Sequence, residues 1–406
     1  MRVLQIASLY PPKMLGGAEV SARNLSDLLV SAGHEVMVVR ASDRDEPEGE
    51  ESIAPGIRVA RLETPHIYPV FRFYDAGRLK KPLWHLQDHF DQRLRPAFGR
   101  MLDDFPPDLV NVHLLQGLGY PLLKEVAKRG IPVNYVLPDL GLACIRMSMF
   151  KNGKDCSGHC APCALSTRYK LGLIRQQSSV SFVSPSRANL ETLSHHFPVK
   201  DYPHAVILNP NTYPRPTRGR TQSDDLRLLY AGRIHDSKGV EMLLGAVEAL
   251  ARNRRVTLTL AGQGQQEAEL RARFGDAPWC NFLGFISHQQ LADQMMESDL
   301  LCIPSIWAEN SPGVVIQALG LGLPVMGSAR GGIPELVRDR ENGRLVHDTT
   351  LSGWQAALGD VLDRPEDLKA WRNTAEQDAH RFDARTIGCE MLEWMEASAG
   401  RPAKRQ

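Results

Sequence analysis

A polar, proline-rich segment divides this sequence into two runs of alternating strands and helices. The segment covers residues 209–224, NPNTYPRPTRGRTQSD, and lacks apolar periodicity, as is typical of a linker. On each side, short apolar stretches that predict strands alternate with longer stretches that predict helices. Because such alternation forms parallel sheets covered on both faces, we predict two doubly wound α/β domains, at residues 1–208 and 225–383. Residues 384–406 form a further C-terminal segment.

Length and charge exclude several classes of protein. A chain of 406 residues is too long for one ordinary core, and 48 basic against 47 acidic residues leave a formal net charge of +1. No global field therefore attracts nucleic acid, and we expect no nucleic-acid partner. Residues 1–8 read as a strand rather than a secretory signal, and no window approaches eighteen uninterrupted apolar residues. We expect a cytoplasmic protein.

The chain opens with a βαβ pattern that places two glycines before a helix. Residues 2–9 predict a buried strand and residues 18–32 a helix, and Gly16 and Gly17 lie between them. Glycines at this place either form a turn or let the backbone approach a ligand closely. The G-x-G-x-x-G fingerprint is missing, so NAD is not implied.

Two segments of the first domain carry weaker patterns. Residues 43–60 are acidic and punctuated by Gly and Pro, which predicts a surface loop. Residues 66–100 interleave aromatic and basic side chains. That pattern favours amphipathic helices packed on the first sheet, and an acceptor site or a peripheral contact with a membrane surface is the alternative.

Four of the seven cysteines are clustered in residues 144–163. Cys156, Cys160 and Cys163 have the spacing C-x3-C-x2-C, and Cys144 precedes them. Four soft ligands on short loops are able to close a structural zinc site or, second in preference, an iron–sulfur cluster, whereas scattered buried thiols are the alternative. We predict a structural zinc site here.

The second domain begins with a strand and a loop that carries two cations. The loop Gly232–Gly239 follows the strand 226–231 and leads into a helix. Arg233 offers a planar fork for phosphate oxygens, and Lys238 adds a compact charge near a helix amino end. No Walker A sequence occurs. The pattern indicates a phosphate site.

A later strand of this domain leads into a loop with a single carboxylate. The strand 300–303 ends before Glu309, and a helix begins near Gly313. Because open α/β sheets bind anionic ligands between a strand's carboxyl end and a helix amino end, this loop is our candidate active site.

This loop resembles the signature of retaining nucleotide-sugar glycosyltransferases of family four. Glu309-Asn310-Ser311-Pro312 matches the family's Glu-Asn-x-Pro, and Gly322–Val325 matches its Gly-x-Pro-Val. Gly-Arg and Lys-Gly in the loop 232–239 resemble the family's donor-diphosphate site. The resemblance implies the GT-B fold, in which two Rossmann-like domains face each other across a cleft and the C-terminal helix crosses back to the first domain.

The resemblance also implies roles for individual residues. Catalysis would rest on Glu309, Arg233 and Lys238. Substrate would be bound by Gly16, Gly17, Asp139, Phe285, Ile286, Asn310, Ser311, Pro312, Gly313, Val314 and Gln317. The implied reaction moves a hexose from a UDP- or GDP-sugar to a saccharide, a lipid-linked saccharide or a small molecule, with retention of configuration. Transfer would need no cofactor.

Two positions depart from the family pattern. Gln317 stands where the family has a second glutamate, which would accept hydrogen bonds from both ribose hydroxyls. Pro138 stands before Asp139 where relatives commonly have histidine. These departures motivate an alternative hypothesis, a degenerate GT-B protein that binds a nucleotide or a partner without turnover.

Overall fold

The computed structural model describes residues 1–13, 17–42, 46, 48–73, 77, 79–221 and 223–400, so Gly16 lies outside the described residues. The chain forms two compact units. The first contains Met1–Met149, Cys156–Asn211 and the chain from Ala384, and the second contains Phe150–Asp155 and Thr212–Asp383. Each unit is built on a sheet that is parallel, apart from one edge strand in the first unit, with helices between the strands, which confirms the predicted fold class.

The first unit has an eight-stranded sheet in the order β10-β9-β6-β5-β1-β2-β4-β3. Its strands are β1 (Arg2–Ala7), β2 (Glu35–Ala41), β3 (Gly49–Ala54), β4 (Ile57–Leu62), β5 (Leu109–Leu114), β6 (Val133–Val136), β9 (Val180–Ser184) and β10 (His204–Val206). The separate hairpin of β7 (Phe150–Lys151) and β8 (Lys154–Asp155) belongs to the second unit. Its helices are α1 (Gly17–Ser31), α2 (Lys81–Phe90), α3 (Arg95–Asp104), α4 (Leu123–Lys128), α5 (Ala161–Ile174), α6 (Arg187–Ser194) and α14 (Ala384–Ser398).

Strand β1 lies in the middle of this sheet. Val3 pairs in parallel with Val36 on one side and with Leu109 on the other, and all three side chains are buried. The prediction of a surface loop at residues 43–60 is wrong for the second half of this segment, because β3 and β4 form an antiparallel pair at the sheet edge. Exposed charges on this edge strand hid the period-2 pattern, since Glu50 and Glu51 pair with Arg58 and Arg61 across the two strands.

Helix α14 is fastened to the first unit by buried polar side chains. Asn134 of β6 accepts hydrogen bonds from Trp394 Nε1 at 2.9 Å and from Ser181 Oγ at 3.1 Å, and its own amide donates to Asn111 at 2.7 Å. Leu28 of α1 lies directly against Gly388, where a Cβ would approach it to 2.8 Å. The small residue therefore lets α14 pack closely on α1.

The second unit has a six-stranded parallel sheet in the order β13-β12-β11-β14-β15-β16. Its strands are β11 (Leu226–Ala231), β12 (Val256–Ala261), β13 (Cys280–Gly284), β14 (Leu300–Ile303), β15 (Val325–Ser328) and β16 (Gly343–Val346). Its helices are α7 (Val240–Ala251), α8 (Glu267–Phe274), α9 (His288–Met296), α10 (Gly313–Gly320), α11 (Ile333–Leu336), α12 (Leu351–Asp363) and α13 (Pro365–Asp378). Ser287 and Gln290 form a capping box at the start of α9, which fixes where this helix begins.

Among the described residues, no helix is both long enough and apolar enough to cross a membrane.

Candidate active site

The candidate site of the second unit lies where its strand order reverses. Strand β11 pairs with β12 on one side and β14 on the other, so the loops that follow β11 and β14 leave the sheet at the same edge. Ile306 N–H donates to Ser237 O at 2.9 Å and joins the two loops. Open parallel sheets bind ligands at such a reversal, beyond the carboxyl ends of the strands.

The carboxylate of Glu309 is buried at the centre of this edge. Lys238 Nζ lies 2.5 Å from Glu309 Oε1, Trp307 Nε1 donates to the same oxygen at 2.9 Å, and Ser305 Oγ donates to it as well. Lys238 Nζ also lies 4.9 Å from the centre of the Trp307 ring. The glutamate and the lysine, which are 71 residues apart in the sequence, therefore form an ion pair.

The surroundings keep Glu309 ionised. Burial by itself would raise the pKa of Glu309, but the charge of Lys238 and the hydrogen bonds from Lys238, Ser305 and Trp307 outweigh it and lower the pKa. All three donors are directed at Oε1. Among the described residues no donor is directed at the second oxygen, Oε2, so this oxygen could accept a hydrogen bond from a ligand hydroxyl.

Two glycines allow the loops to approach this carboxylate. Gly239 has φ +65°, and a Cβ on it would lie 2.1 Å from Pro304 O. Gly331 has φ +58°, and its Cβ would lie 2.0 Å from Glu309 O. Gly332 N–H donates to that same carbonyl at 2.7 Å. Larger residues at 239 or 331 would push the loops apart, because both the conformation and the space require glycine.

Helix α10 begins directly after the loop and brings further polar groups to this edge. Its first residue is Gly313, and Pro312 lies at the N-cap position. The amides of Gly313 and Val314 have no carbonyl one turn earlier in the helix, and the helix dipole favours an anion beside them. Among the described residues, Gln317 Nε2 and Ser311 Oγ are buried without a hydrogen-bond partner.

The other side of the edge is formed by the loops after β11, β12 and β13. Gly262 N–H donates to Gly284 O at 2.7 Å, and Ile234 N–H donates to Gln263 O at 2.9 Å, so these loops lie side by side. Phe285 follows Gly284 and is 77% exposed, whereas Ile286 is partly buried. Arg233 is exposed on the first of the three loops. An exposed aromatic ring at a strand end offers a flat surface for stacking.

The first unit holds the remaining predicted site residues. Gly17 is the first residue of α1, and a Cβ there would meet nothing within 4 Å. Asp139 follows β6 and lines a cavity with His113, Tyr120 and Tyr135. Gly141 N–H donates to the Asp139 carboxylate at 2.6 Å. Burial raises the pKa of Asp139 to about 6, despite that hydrogen bond and the nearby charge of Lys170.

Two family models match this chain. The model for Glycosyltransferase Family 4 matches residues 15–137, and the model for Glycosyl transferases group 1 matches residues 225–364, which include both loops around Glu309. The chain belongs to the glycosyltransferases of family four.

The similarity to known relatives and solved structures extends over almost the whole chain of this transferase. A glycogen synthase of Mycobacterium tuberculosis is 25% identical over 405 residues, covering 95% of this chain and 92% of the relative. Sucrose-phosphate synthase from Thermosynechococcus elongatus matches with a TM-score of 0.73 at 17% identity, covering 98% of both chains. An Anabaena protein solved in complex with UDP matches with a TM-score of 0.70 at 16% identity, covering 98% of this chain and 100% of its own. The solved structures share the fold of the transferase.

In the transferase, the second unit gathers Lys238, Glu309 and the start of α10. Arg233 and Phe285 lie at the same sheet edge, on the loops that follow β11 and β13. Gly17 and Asp139 belong to the other unit. Sequence reasoning gave no role to Ser305 and Trp307, although both donate to Glu309. Their position within four residues of Glu309 is the only hint that the sequence offers.

The cysteine loop of the transferase brings two of its thiols together. Cys144 Sγ and Cys163 Sγ are buried 3.9 Å apart, and Arg146 N–H approaches Cys144 Sγ at 3.4 Å. Cys156 is partly buried and Cys160 is exposed. In the part of the chain that the structure describes, no three His, Cys, Asp or Glu side chains are grouped so that they could hold a metal ion. The zinc site stays a prediction.

Proposed function

We propose that this glycosyltransferase moves a hexose from a UDP- or GDP-sugar to a saccharide, a lipid-linked saccharide or a small-molecule acceptor, with retention of anomeric configuration. The carboxylate of Glu309 is the observation that supports this proposal most strongly. It is buried, ionised and held by three donors on one oxygen, at the edge where parallel sheets bind ligands. In the proposal its second oxygen accepts a hydrogen bond from a hydroxyl of the donor sugar.

The leaving group of this reaction is a nucleoside diphosphate, which gains negative charge as the bond to the sugar breaks. Lys238, Arg233 and the first amides of α10 are the positive and dipolar groups of the proposed site. Groups fixed in place before the reaction stabilise such developing charge most effectively. We assign the diphosphate to them. The Anabaena neighbour solved with UDP agrees with this choice of ligand.

Candidate contacts for the nucleoside lie on the loop after β13 and on helix α10. Phe285 presents an exposed ring on which a base could stack, beside the partly buried Ile286. Gln317 has an amide donor without a partner among the described residues, and we assign it to the ribose hydroxyls. Asn310 and Ser311 complete the proposed sugar and phosphate pocket.

A panel of nucleotide sugars tests the proposal in two steps. In a thermal-shift assay with UDP- and GDP-hexoses, at least one donor should raise the melting temperature of the protein, because a ligand that binds the folded state stabilises it. Donor consumption is then measured with and without candidate acceptors, and the anomeric configuration of the product is read by NMR. No stabilisation by any donor would contradict the proposal.

Gln317 and Pro138 favour one alternative, a protein that binds a nucleotide without turnover. The same two steps separate the alternatives. Donor binding with consumption supports the transferase, whereas donor binding without consumption, over the full acceptor panel, supports the binding protein.

We also propose that Cys144, Cys156, Cys160 and Cys163 hold a structural zinc ion. With Zn–S bonds of about 2.3 Å, two thiolates of a tetrahedral site lie about 3.8 Å apart. The buried pair Cys144 and Cys163 has a separation of 3.9 Å, and an amide approaches one of the two sulfurs, as suits a thiolate. Cys156 and Cys160 are less buried, and they would complete the ligand set.

Elemental analysis of the purified protein tests the zinc site. About one zinc per chain is expected, and Cys160→Ser should lower the zinc content, whereas Cys389→Ser, which changes another exposed cysteine, should not. A brown protein with visible absorbance would instead indicate an iron–sulfur cluster. A colourless, metal-free protein with four reactive clustered thiols would contradict the proposal.

A further inference from the structure

The outward face of helix α2 is entirely apolar. All ten residues of α2 are described, and its exposed positions are Pro82, Leu83, Leu86 and Phe90. Leu83 is 50% exposed, Leu86 54% and Phe90 47%, and Leu79, just before the helix, is 95% exposed. Leu79, Leu83, Leu86 and Phe90 have the spacing of one helical stripe. A surface helix normally turns such a stripe toward the core, so this one requires an explanation.

The inward face of α2 shows that this orientation is fixed. Trp84 is fully buried, and its Nε1 donates to Tyr68 O at 2.9 Å. Asp88 accepts a hydrogen bond from Gly117 N–H at 2.7 Å, and His89 Nε2 lies 2.7 Å from Ser166 Oγ. Polar and aromatic groups therefore anchor the helix, and the leucines cannot turn inward without breaking these bonds.

Helix α5 extends the apolar surface. The Phe90 ring packs edge-on against Tyr169 at 4.9 Å, and α5 also presents Leu165, which is 64% exposed. We name Leu79, Leu83, Leu86, Phe90 and Leu165 the α2–α5 face. Contiguous exposed apolar side chains of this kind mark sites that contact a membrane, a ligand or another protein.

The charge around the α2–α5 face is positive, although the chain as a whole is nearly neutral. Residues 79–95 and 161–175 carry seven Lys and Arg against two Asp. Of the two aspartates, Asp88 is buried and Asp91 is paired with Arg93. Of the cations, Lys170 is buried and Arg95 is paired with Glu125, whereas Lys80, Arg168 and Arg175 are exposed. Apolar side chains bordered by cations match the two layers of an anionic bilayer surface, which are acyl chains and headgroup phosphates.

We infer that the α2–α5 face docks the transferase on an anionic lipid bilayer, with its leucines and Phe90 entering the acyl boundary and Lys80 and Arg168 contacting headgroup phosphates. The bilayer is favoured over a protein partner because the outward positions of α2 offer apolar contact and no hydrogen-bonding group. This inference goes beyond the proposed function and needs neither donor nor acceptor. Its test therefore fails or succeeds independently of turnover.

Vesicle flotation of the full chain tests the inference. Wild-type protein should float with vesicles of phosphatidylglycerol and phosphatidylcholine, and it should float less at high salt, because screening weakens the headgroup contacts. With vesicles of phosphatidylcholine alone, binding should fall to a small fraction. The double variant Leu83→Glu/Leu86→Glu should lose about tenfold or more in partitioning, since it places two carboxylates in the acyl boundary.

A matched control and a second variant make the test specific. Leu351 is 45% exposed in the second unit, and Leu351→Glu should float like wild type. Should the double variant fail to fold, as judged by circular dichroism, Lys80→Gln/Arg168→Gln should still show weaker binding at low salt. Three outcomes would overturn the inference: absence of wild-type flotation, flotation unchanged in both variants, or a wild-type dimer that the leucine variant converts to monomer.

Discussion

Two carboxyl groups of this transferase follow parallel strands, one in each unit, and their surroundings shift their pKa values in opposite directions. Glu309 follows β14 and accepts a hydrogen bond from Lys238 Nζ at 2.5 Å, and its pKa is lowered. Asp139 follows β6 and accepts a hydrogen bond from the Gly141 amide at 2.6 Å, and burial raises its pKa to about 6. Burial acts on both groups, so the difference comes from the charge of Lys238 in direct contact with Glu309 and from the hydrogen bonds that Glu309 accepts from Lys238, Ser305 and Trp307.

The contrast separates two kinds of site. A buried carboxylate paired with lysine stays charged across the physiological range and can accept hydroxyl hydrogen bonds throughout. A carboxyl group without that pairing changes charge near pH 6 and makes its cavity sensitive to pH. Lys170 is close to Asp139, but its Nζ donates to Gly141 O at 2.7 Å, and burial lowers the pKa of Lys170 to about 8.

Removing the cation should make Glu309 resemble Asp139. In Lys238→Met the carboxylate remains buried without its counter-charge, so the pKa of Glu309 should rise and the free energy of unfolding at pH 7 should fall by about 3 kcal/mol. Urea denaturation at pH 7 measures the loss. Lys200→Met is the matched control, because Lys200 also lies 2.5 Å from a glutamate, Glu191, but both side chains are nearly half exposed. That variant should change stability very little, because solvent screens an exposed ion pair.

Removing the charge of Asp139 should alter how stability depends on pH. Because its folded pKa of about 6 lies above the ordinary value of 3.8, the folded state holds the proton more tightly than the unfolded state. Wild-type stability should therefore fall as pH rises from about 4 to about 6. Asp139→Asn lacks this loss, so its stability relative to wild type should increase by up to about 2 kcal/mol over that window. Denaturation of both proteins is measured across this pH range. If Asp139 titrates with its ordinary pKa, the two stability profiles will not diverge.

The smallest expected effect concerns Gln317. Restoring the family residue with Gln317→Glu supplies two charged acceptors for ribose hydroxyls in place of one neutral acceptor. Donor affinity should rise about fivefold, which corresponds to about 1 kcal/mol. Calorimetric titration with the donor identified by the panel measures it, and binding weakened by the substitution would place the ribose elsewhere.

The sequence alone predicted the strand and helix alternation of the second unit, and its candidate site residues are close together because they follow strand ends. Glu309, Pro312 and Gly313 lie within one loop and one helix start, and Lys238 lies in a loop of the same kind, so strand ends in a parallel sheet bring them to one edge. The first unit was harder. Charges on β3 and β4 hid an edge hairpin, and the outward orientation of Leu83 and Leu86 depends on anchors such as Ser166, which is 77 residues from His89. Periodicity cannot say which face of a helix turns inward when both faces carry apolar residues.

Donor turnover by Glu309→Gln tests the central claim most directly. The substitution keeps the shape of the side chain and removes its charge, so the oxygen offered to the donor sugar becomes a weaker acceptor. With donor held at saturation, turnover should fall about 100-fold or more relative to wild type, while the affinity for the free nucleoside diphosphate changes little. Turnover equal to that of wild type, in a variant that folds and binds the nucleotide, would contradict the assignment of Glu309 to the active site.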